Sequence, residues 1–284
     1  MESARAIAER ASGNAVKLDQ DGAFPVEEIG EMRDLGLLHA PFPPDMSGRD
    51  LGSPPGDPRL LFKVLAAIGQ GSLSLGRLYE GHVNAVKLVR LYGSRENLRL
   101  LAEEAEAGRL TGVWMAEDGA PLKLRADQNH DVLEGRKVLA SGAGHIRRPL
   151  VAAASDSGSV LLLPDAAAPA RVDLSGWTPA GMKATATGSV DFTGLRIGAA
   201  ERVGQSGDYM RSPYFRGGAW RVMAVQYGGL RALHEAYRAR VAEMGRDGDR
   251  QQRARFGEAT AALETARLWI EEASARAEDR SLEP

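Results

Sequence analysis

The feature that most restricts what this chain can become is a double switch in hydrophobic period. Apolar residues recur at helical spacing, then crowd into short runs bounded by glycine, proline and aspartate, then return to helical spacing. The switches divide the 284 residues into three regions, 1–109, 110–205 and 206–284. In the first, Val26–Leu38 places Ile29, Met32, Leu35 and Leu38 on one helical face. A proline- and glycine-rich loop follows over Pro41–Pro58, where continuous helix is excluded. Arg59–Ala67, Leu78–Tyr92 and Asn97–Ala107 are predicted helices, the last two stopping at Gly93 and Gly108, with Ser72 or Ser74 as an N-cap.

In the second region, residues 111–116, 137–140, 150–154, 159–163, 170–174, 182–187 and 189–192 suit strands. Their frequency predicts a small antiparallel barrel or sandwich. In the third, Arg216–Glu243 and Gln251–Glu278 form a predicted antiparallel helix pair around the turn Arg246–Asp249. The fold class read from this order is α+β multidomain: an N-terminal helical domain, a central small antiparallel β-barrel or sandwich domain, and a C-terminal helical domain.

Composition removes several kinds of chemistry. Lysine plus arginine (36) nearly balance aspartate plus glutamate (38), so no charge field favours nucleic acid. There is no cysteine, which excludes disulfides, thiolate metal sites and a cysteine nucleophile. The five histidines include no i, i+4 pair and no HExxH, so no metal site is expected. Met1–Arg10 has no apolar signal region and no run is long enough to span a bilayer, so a cytoplasmic location without membrane contact is expected. Gly71–Gly76 lacks the GxSxG spacing, Gly142–Gly144 lacks the third glycine of a dinucleotide fingerprint, and no Walker A loop occurs. Arg147-Arg148 is expected to be a solvated turn.

A set of local motifs then narrows the choice. They are Asp21-Gly22-Ala23-Phe24-Pro25 with Met32–Leu37, Leu65–Ser74 with Gly81-His82-Val83-Asn84, and Tyr92-Gly93-Ser94 with Leu101–Gly108. In the β region they are Val113–Glu117, Gly135–Gly144, and Gly181-Met182-Lys183 with Ser189–Phe192. The last is Arg253-Ala254-Arg255-Phe256-Gly257. In this order, on these element types and over nearly the whole chain, they resemble the acyl-CoA dehydrogenase family of flavoproteins.

The resemblance implies FAD bound between the β domain and the C-terminal helices. Trp114, Met115, Ala116, Leu139 and Ser141 would lie along the flavin ring, Arg253 would pair with the pyrophosphate and Phe256 would pack on the cofactor. In the family the last two serve a neighbouring subunit, which implies a homodimer or homotetramer. His82, Asn84 and Arg221 would line the acyl-CoA cavity. The implied reaction is α,β-dehydrogenation of an acyl-CoA thioester with hydride transfer to flavin N5, in fatty acid metabolism, with electron-transfer flavoprotein as a possible partner. Against the family layout the last C-terminal helices are expected to be missing, leaving a partial bundle that stops at Asp279–Pro284.

The sequence also departs from the family pattern. Ala116 replaces a threonine, Leu139 replaces a tryptophan that shields the flavin, and Gly119–Arg125 replaces a substrate loop. In the stretch Gly218-Ala219-Trp220-Arg221 nothing can serve as general base, and no catalytic residue is assigned. Two readings therefore stand beside the dehydrogenase: a flavin-dependent monooxygenase or oxidase of the same fold, and a non-catalytic binding paralogue. A plain helical scaffold without cofactor is a fourth.

Overall fold

The structure is a computed structural model that describes residues 1–127, 130–211 and 218–279. It opens with six helices: α1 (Glu2–Gly13), α2 (Ala15–Leu18), α3 (Val26–Asp34), α4 (Pro58–Gly71), α5 (Leu73–Tyr92) and α6 (Arg95–Glu106). Helix α3 ends short of Leu38. Gly36 takes φ 72°, its N–H donates to the Arg33 carbonyl at 2.8 Å, and the Leu37 N–H donates to the Met32 carbonyl at 2.8 Å. That pair of bonds satisfies the terminal carbonyls and turns the chain out of the helix. Helix α5 begins earlier than its apolar spacing predicts, because Ser72 caps it by accepting from the Leu75 N–H at 3.2 Å. Ser94 and Asn97 form a reciprocal capping box on α6. The Asn97 amide also donates to the carbonyls of Ala200 and Arg202, tying α6 to the β region.

Ten strands follow: β1 (Val113–Trp114), β2 (Lys123–Asp127), β3 (His130–Glu134), β4 (Arg136–Ala140), β5 (Leu150–Ser155), β6 (Gly158–Leu162), β7 (Val172–Asp173), β8 (Gly188–Asp191), β9 (Arg196–Ile197) and β10 (Arg202–Val203). Seven form one sheet in the order β10-β6-β5-β2-β3-β9, with β1 added on β5, and three form a second in the order β4-β8-β7. Pairing is mostly antiparallel, but β1 and β2 each run parallel to β5, a mixture that the sequence reading lacks. Two further differences have local causes. Residues 182–187 are not a strand: Met182 and Ala186 adopt left-handed backbone around a 3-10 turn over Lys183–Thr185. The Thr185 N–H and hydroxyl both return to the Met182 carbonyl, which closes the turn. The end of Gly119–Arg125, read as loop, enters β2 and pairs in register with β3. Arg147 and Arg148 are not a bare solvated turn either; Arg147 forks onto Asp165 and Arg148 donates to the Leu163 carbonyl.

The chain closes with α7 (Ala219–Glu243) and α8 (Arg250–Ala277), an antiparallel hairpin whose turn matches the sequence expectation. Asp249 caps α8 by accepting from the Gln251 and Gln252 N–H groups. Arg216 and Gly217, predicted at the start of this hairpin, and residues 280–284 of the tail lie outside the described residues. Helix α7 crosses α4 at a glycine contact. A Cβ on Gly69 would come within 2.3 Å of the Val225 carbonyl oxygen, and one on Gly228 within 2.1 Å of that of Ala66. No side chain fits there, so backbone meets backbone. One apolar core runs from Ile7, Met32, Leu65 and Val86 through Leu133, Leu150 and Val190 to Ala224. No described helix is long and apolar enough to cross a membrane.

Candidate functional site

The residues expected along a flavin ring meet at the seam between the two sheets. The buried indole of Trp114 donates from Nε1 to the Ser141 carbonyl at 2.9 Å, and its ring meets Phe192 edge-on. The Val138 N–H donates to the Ala116 carbonyl at 3.0 Å, joining residues 114–116 to residues 138–141. Buried Lys137 reinforces the seam, with Nζ on Glu117 Oε1 at 2.5 Å and near the Met115 carbonyl. Its burial pushes the ammonium pKa down, and Glu117 opposes that shift.

Between Lys137 and Ala140 the β4–β8 register slips. Such an irregularity bends a strand and re-aims its side chains. Leu139 sits within it at φ 52° and is 67% exposed. A leucine held in left-handed backbone with its side chain in solvent is costly on both counts. A flat apolar ligand lying on it would remove the second cost. Met115, Ala116 and Ser141 are half-buried on the same seam. Leu139 thus forms an open apolar ledge beside these half-buried residues.

Helix α5 faces this ledge. Arg77, Leu78 and Gly81 line a narrow crevice with Gly112, Val113, Trp114, Ser141 and Ile146. Arg77 donates to Glu80, which is buried. Burial raises the Glu80 carboxyl pKa, while Arg77 and Arg221 pull it down.

The residues assigned to an acyl cavity scatter. His82 is a core residue with both ring nitrogens engaged: Nε2 faces the Leu38 carbonyl at 2.8 Å, and Nδ1 accepts from the Thr111 N–H at 3.2 Å. Burial pushes its pKa down to about 4, so the ring is neutral and Nε2 carries the proton. Neither nitrogen is left for a substrate. Asn84 is half-buried one half-turn further along α5. Arg221 is buried at the start of α7, with Nη2 on Glu278 Oε1 at 2.5 Å and its guanidinium over the Trp220 ring. Its Nε and the Trp220 Nε1 have no hydrogen-bond partner among the described residues.

Arg253 and Phe256 do not join the ledge within one chain. Glu278, at the other end of α8, contacts Lys87 of α5 and Arg221 of α7. Arg253 therefore lies roughly 35 Å away along the helix axis, at 1.5 Å per residue. There it is exposed and donates to the Asp247 carbonyl, while Phe256 stacks on His234 at a ring distance of 4.4 Å.

Sequence reading missed Arg77, Glu80, Glu278, Thr185 and Thr187. Arg77 and Glu80 stand three apart on a helix, a spacing that could have flagged the pair. Nothing local marks Glu278, whose partners are far away in sequence.

Residues 1–101 match the acyl-CoA dehydrogenase N-terminal domain family. The chain is 28% identical over 214 residues to dibenzothiophene monooxygenase of Rhodococcus erythropolis, covering 71% of this chain and 50% of that protein. It is 26% identical over 141 residues to 3-sulfinopropanoyl-CoA desulfinase of Advenella mimigardefordensis (strain DSM 17166 / LMG 22922 / DPN7), covering 47% of this chain and 34% of that one. The chain thus spans a third to a half of the length of these curated relatives. Among solved structures, the FMN-bound dibenzothiophene monooxygenase of Paenibacillus sp. A11-2 superposes with a TM-score of 0.80 at 20% identity. That superposition covers 98% of this chain and 76% of the other.

Proposed function

We propose, from the match of residues 1–101 to the acyl-CoA dehydrogenase N-terminal domain family and from the fold the chain shares with that family, a flavin-dependent monooxygenase acting on a small organic substrate. The observation that carries this reading is Leu139. It leaves the ledge open where the dehydrogenase pattern has a shielding tryptophan, and it stands 67% exposed. An open ring edge suits reaction with oxygen. The length of the match to a monooxygenase supports the same choice over α,β-dehydrogenation.

Residue chemistry points the same way. Dehydrogenation needs a carboxylate free to take the α proton of a thioester. Glu80, beside the crevice, is already bonded by Arg77 and has Arg221 nearby. Bound in reduced form, the flavin would supply two electrons to oxygen, one atom of which enters the substrate while the other leaves as water. The protein's part is to hold the ring. Trp114, Met115 and Ala116 would present their backbone, Leu139 would border the open edge of the ring, and Ser141 would offer a hydroxyl. Arg253 and Phe256 would complete the cofactor site from a second copy of the chain, so the active form is a homo-oligomer. FMN is the cofactor in this reading. A supply of reduced flavin replaces electron-transfer flavoprotein as the redox partner.

Titrating the purified protein with FMN and with FAD tests this. Uptake of FMN is expected, with no anaerobic bleaching by butyryl-CoA and with oxygen consumption when reduced flavin is supplied. Bleaching by the thioester would restore the dehydrogenase. A protein that takes up neither flavin would sink both.

A further inference from the structure

The crevice between α5 and the seam has one charged wall and an empty floor. Among the residues that line it, Arg77 alone carries a charge. The Trp114 indole N–H is spent on the Ser141 carbonyl at 2.9 Å. The Ser141 hydroxyl is bonded to that of Thr187 at 3.1 Å, with the Thr185 hydroxyl behind it at 2.9 Å. Leu78, Val113 and Ile146 offer no polar side chain. The floor is two glycines that face each other. A Cβ on Gly81 would stand 3.9 Å from both Arg77 Nη1 and the Gly112 Cα, and would meet nothing closer outside its own helix backbone. About 10 Å³ is free in the crevice, room for one water-sized group. A glycine in the middle of α5 weakens the helix relative to alanine, yet no clash demands one here. What its missing Cβ leaves is the gap.

The guanidinium beside this gap is held and only partly neutralised. Arg77 Nη1 donates to Glu80, whose side chain is 3% exposed against 34% for Arg77. The Glu80 carboxylate is shared, because Arg221 also draws on it. Arginine carries five N–H donors in a planar fork, and among the described residues Glu80 is the one acceptor that Arg77 meets. The remaining donors are available to a ligand. An anionic acceptor suits them, since a charge-assisted bond is about twice as strong as a neutral one. A phosphate or sulfate would leave several oxygens against Leu78, Val113 and Ile146 without donors, at a desolvation cost. A carboxylate or sulfinate has two oxygens, one for the gap and one for the guanidinium.

We propose that Arg77 is a specificity-determining residue and that the substrate is a small organic oxyanion, a carboxylate or sulfinate, which seats one oxygen between Gly81 and Gly112. That the anion is the substrate rests on the flavin reading above; the anion site itself stands on the crevice alone. The body of the molecule stays outside the gap, because only one oxygen fits within it. Glu80 is then a positioning residue. Buried on α5, it holds Arg77 through Nη1 and so sets the plane of the fork.

The test is titration calorimetry with butanoate, butane-1-sulfinate and neutral butanamide, on flavin-free and on FMN-loaded protein. At least one of the two anions is expected to bind about tenfold or more tightly than the amide, the worth of one charge-assisted hydrogen bond. Equal binding of the amide, or tighter binding of inorganic phosphate than of either anion, would overturn the proposal. Arg77→Gln should abolish the preference, and Arg77→Lys, which keeps the charge and loses the fork, should retain part of it. A folded Arg77→Gln protein that still prefers the anion would refute the assignment. Should removal of Arg77 prevent folding, Gly81→Ala carries the measurement. It fills the gap with a methyl and favours the helix, so it is expected to raise the melting temperature while weakening the anion about tenfold. Unchanged anion affinity in that variant would mean that the glycine has no part in a site, and would overturn the proposal. Protein that takes up no flavin yet binds the anion through Arg77 removes the flavin reading alone. Protein that takes up FMN and ignores both anions removes the inference alone.

Discussion

Helices α5 and α8 are both long, charged and alanine- or leucine-bearing, yet they live in opposite surroundings. Fourteen of the 20 residues of α5 are buried. In the 28 residues of α8 only Ser274 is buried, and Trp269 is 70% exposed. Helix α5 is held by the core around it. Helix α8 is held by its Asp249 cap, by surface pairs such as Arg267–Glu271, by a partly buried stripe of Leu263, Ala266, Ile270 and Ala277, and by a buried contact at its end, Glu278 with Arg221 and Lys87. Surface pairs of this kind are worth only ~0.3–0.5 kcal/mol each. Forming a helix and burying one are thus separate achievements, and in α8 the second is confined to a narrow stripe, Leu263, Ala266, Ile270 and Ala277, and to the Glu278 carboxylate.

The contrast can be attacked in order of expected effect. Glu278→Gln should cost about 3–5 kcal/mol, as breaking a buried ion pair does, and should free the hairpin to proteases. Equilibrium urea unfolding and limited proteolysis measure it; a loss of about 0.5 kcal/mol or less would show that the latch holds nothing. Leu75→Ala, in the packed middle of α5, should cost about 3 kcal/mol by the same unfolding assay.

His82 adds a pH dependence to the α5 side. Its folded pKa, about 4, lies below the unfolded 6.5, so the unfolded chain binds a proton that the folded one refuses. The stabilisation is complete above pH 6.5 and is lost as pH falls toward 4, roughly 3 kcal/mol in all. His82→Gln should flatten that part of the stability–pH curve relative to wild type; an unchanged slope would show that His82 is not buried neutral. Smallest of all, Leu268→Ala on the open face of α8 should shift stability by about 0.5 kcal/mol or less. A larger shift that depends on protein concentration would mean that another copy covers that face.

How much of this was legible depends on the range of the interaction. The helix–strand–helix order, the turn at Arg246–Asp249 and the Ser72 cap follow from local spacing and local bonds, and sequence carries them. The β1 and β2 pairings with β5 depend on partners far along the chain, and no alternation pattern encodes them. His82 looked like a pocket residue because its chemistry is versatile; only the Leu38 carbonyl and the Thr111 N–H show both nitrogens spent. Leu139 was visible as a departure from a pattern, but its left-handed backbone was not. Thr185 and Thr187 were hidden because a six-residue apolar-and-threonine stretch reads as strand, and the turn bonds that override it are made by the hydroxyl of Thr185 itself.

The contact between Lys87 and Glu278 also has a consequence in time. It joins residues 191 positions apart. Closing so long a loop pays its entropy before any contact rewards it, so contacts of this span form late. The six N-terminal helices can assemble largely from near neighbours, whereas the final hairpin must wait for α5 to be in place. A chain emerging from the ribosome would therefore display Lys87 for the whole interval between its synthesis and that of Glu278. The last-made residue of the latch sets when the Lys87 end of α5 is closed over.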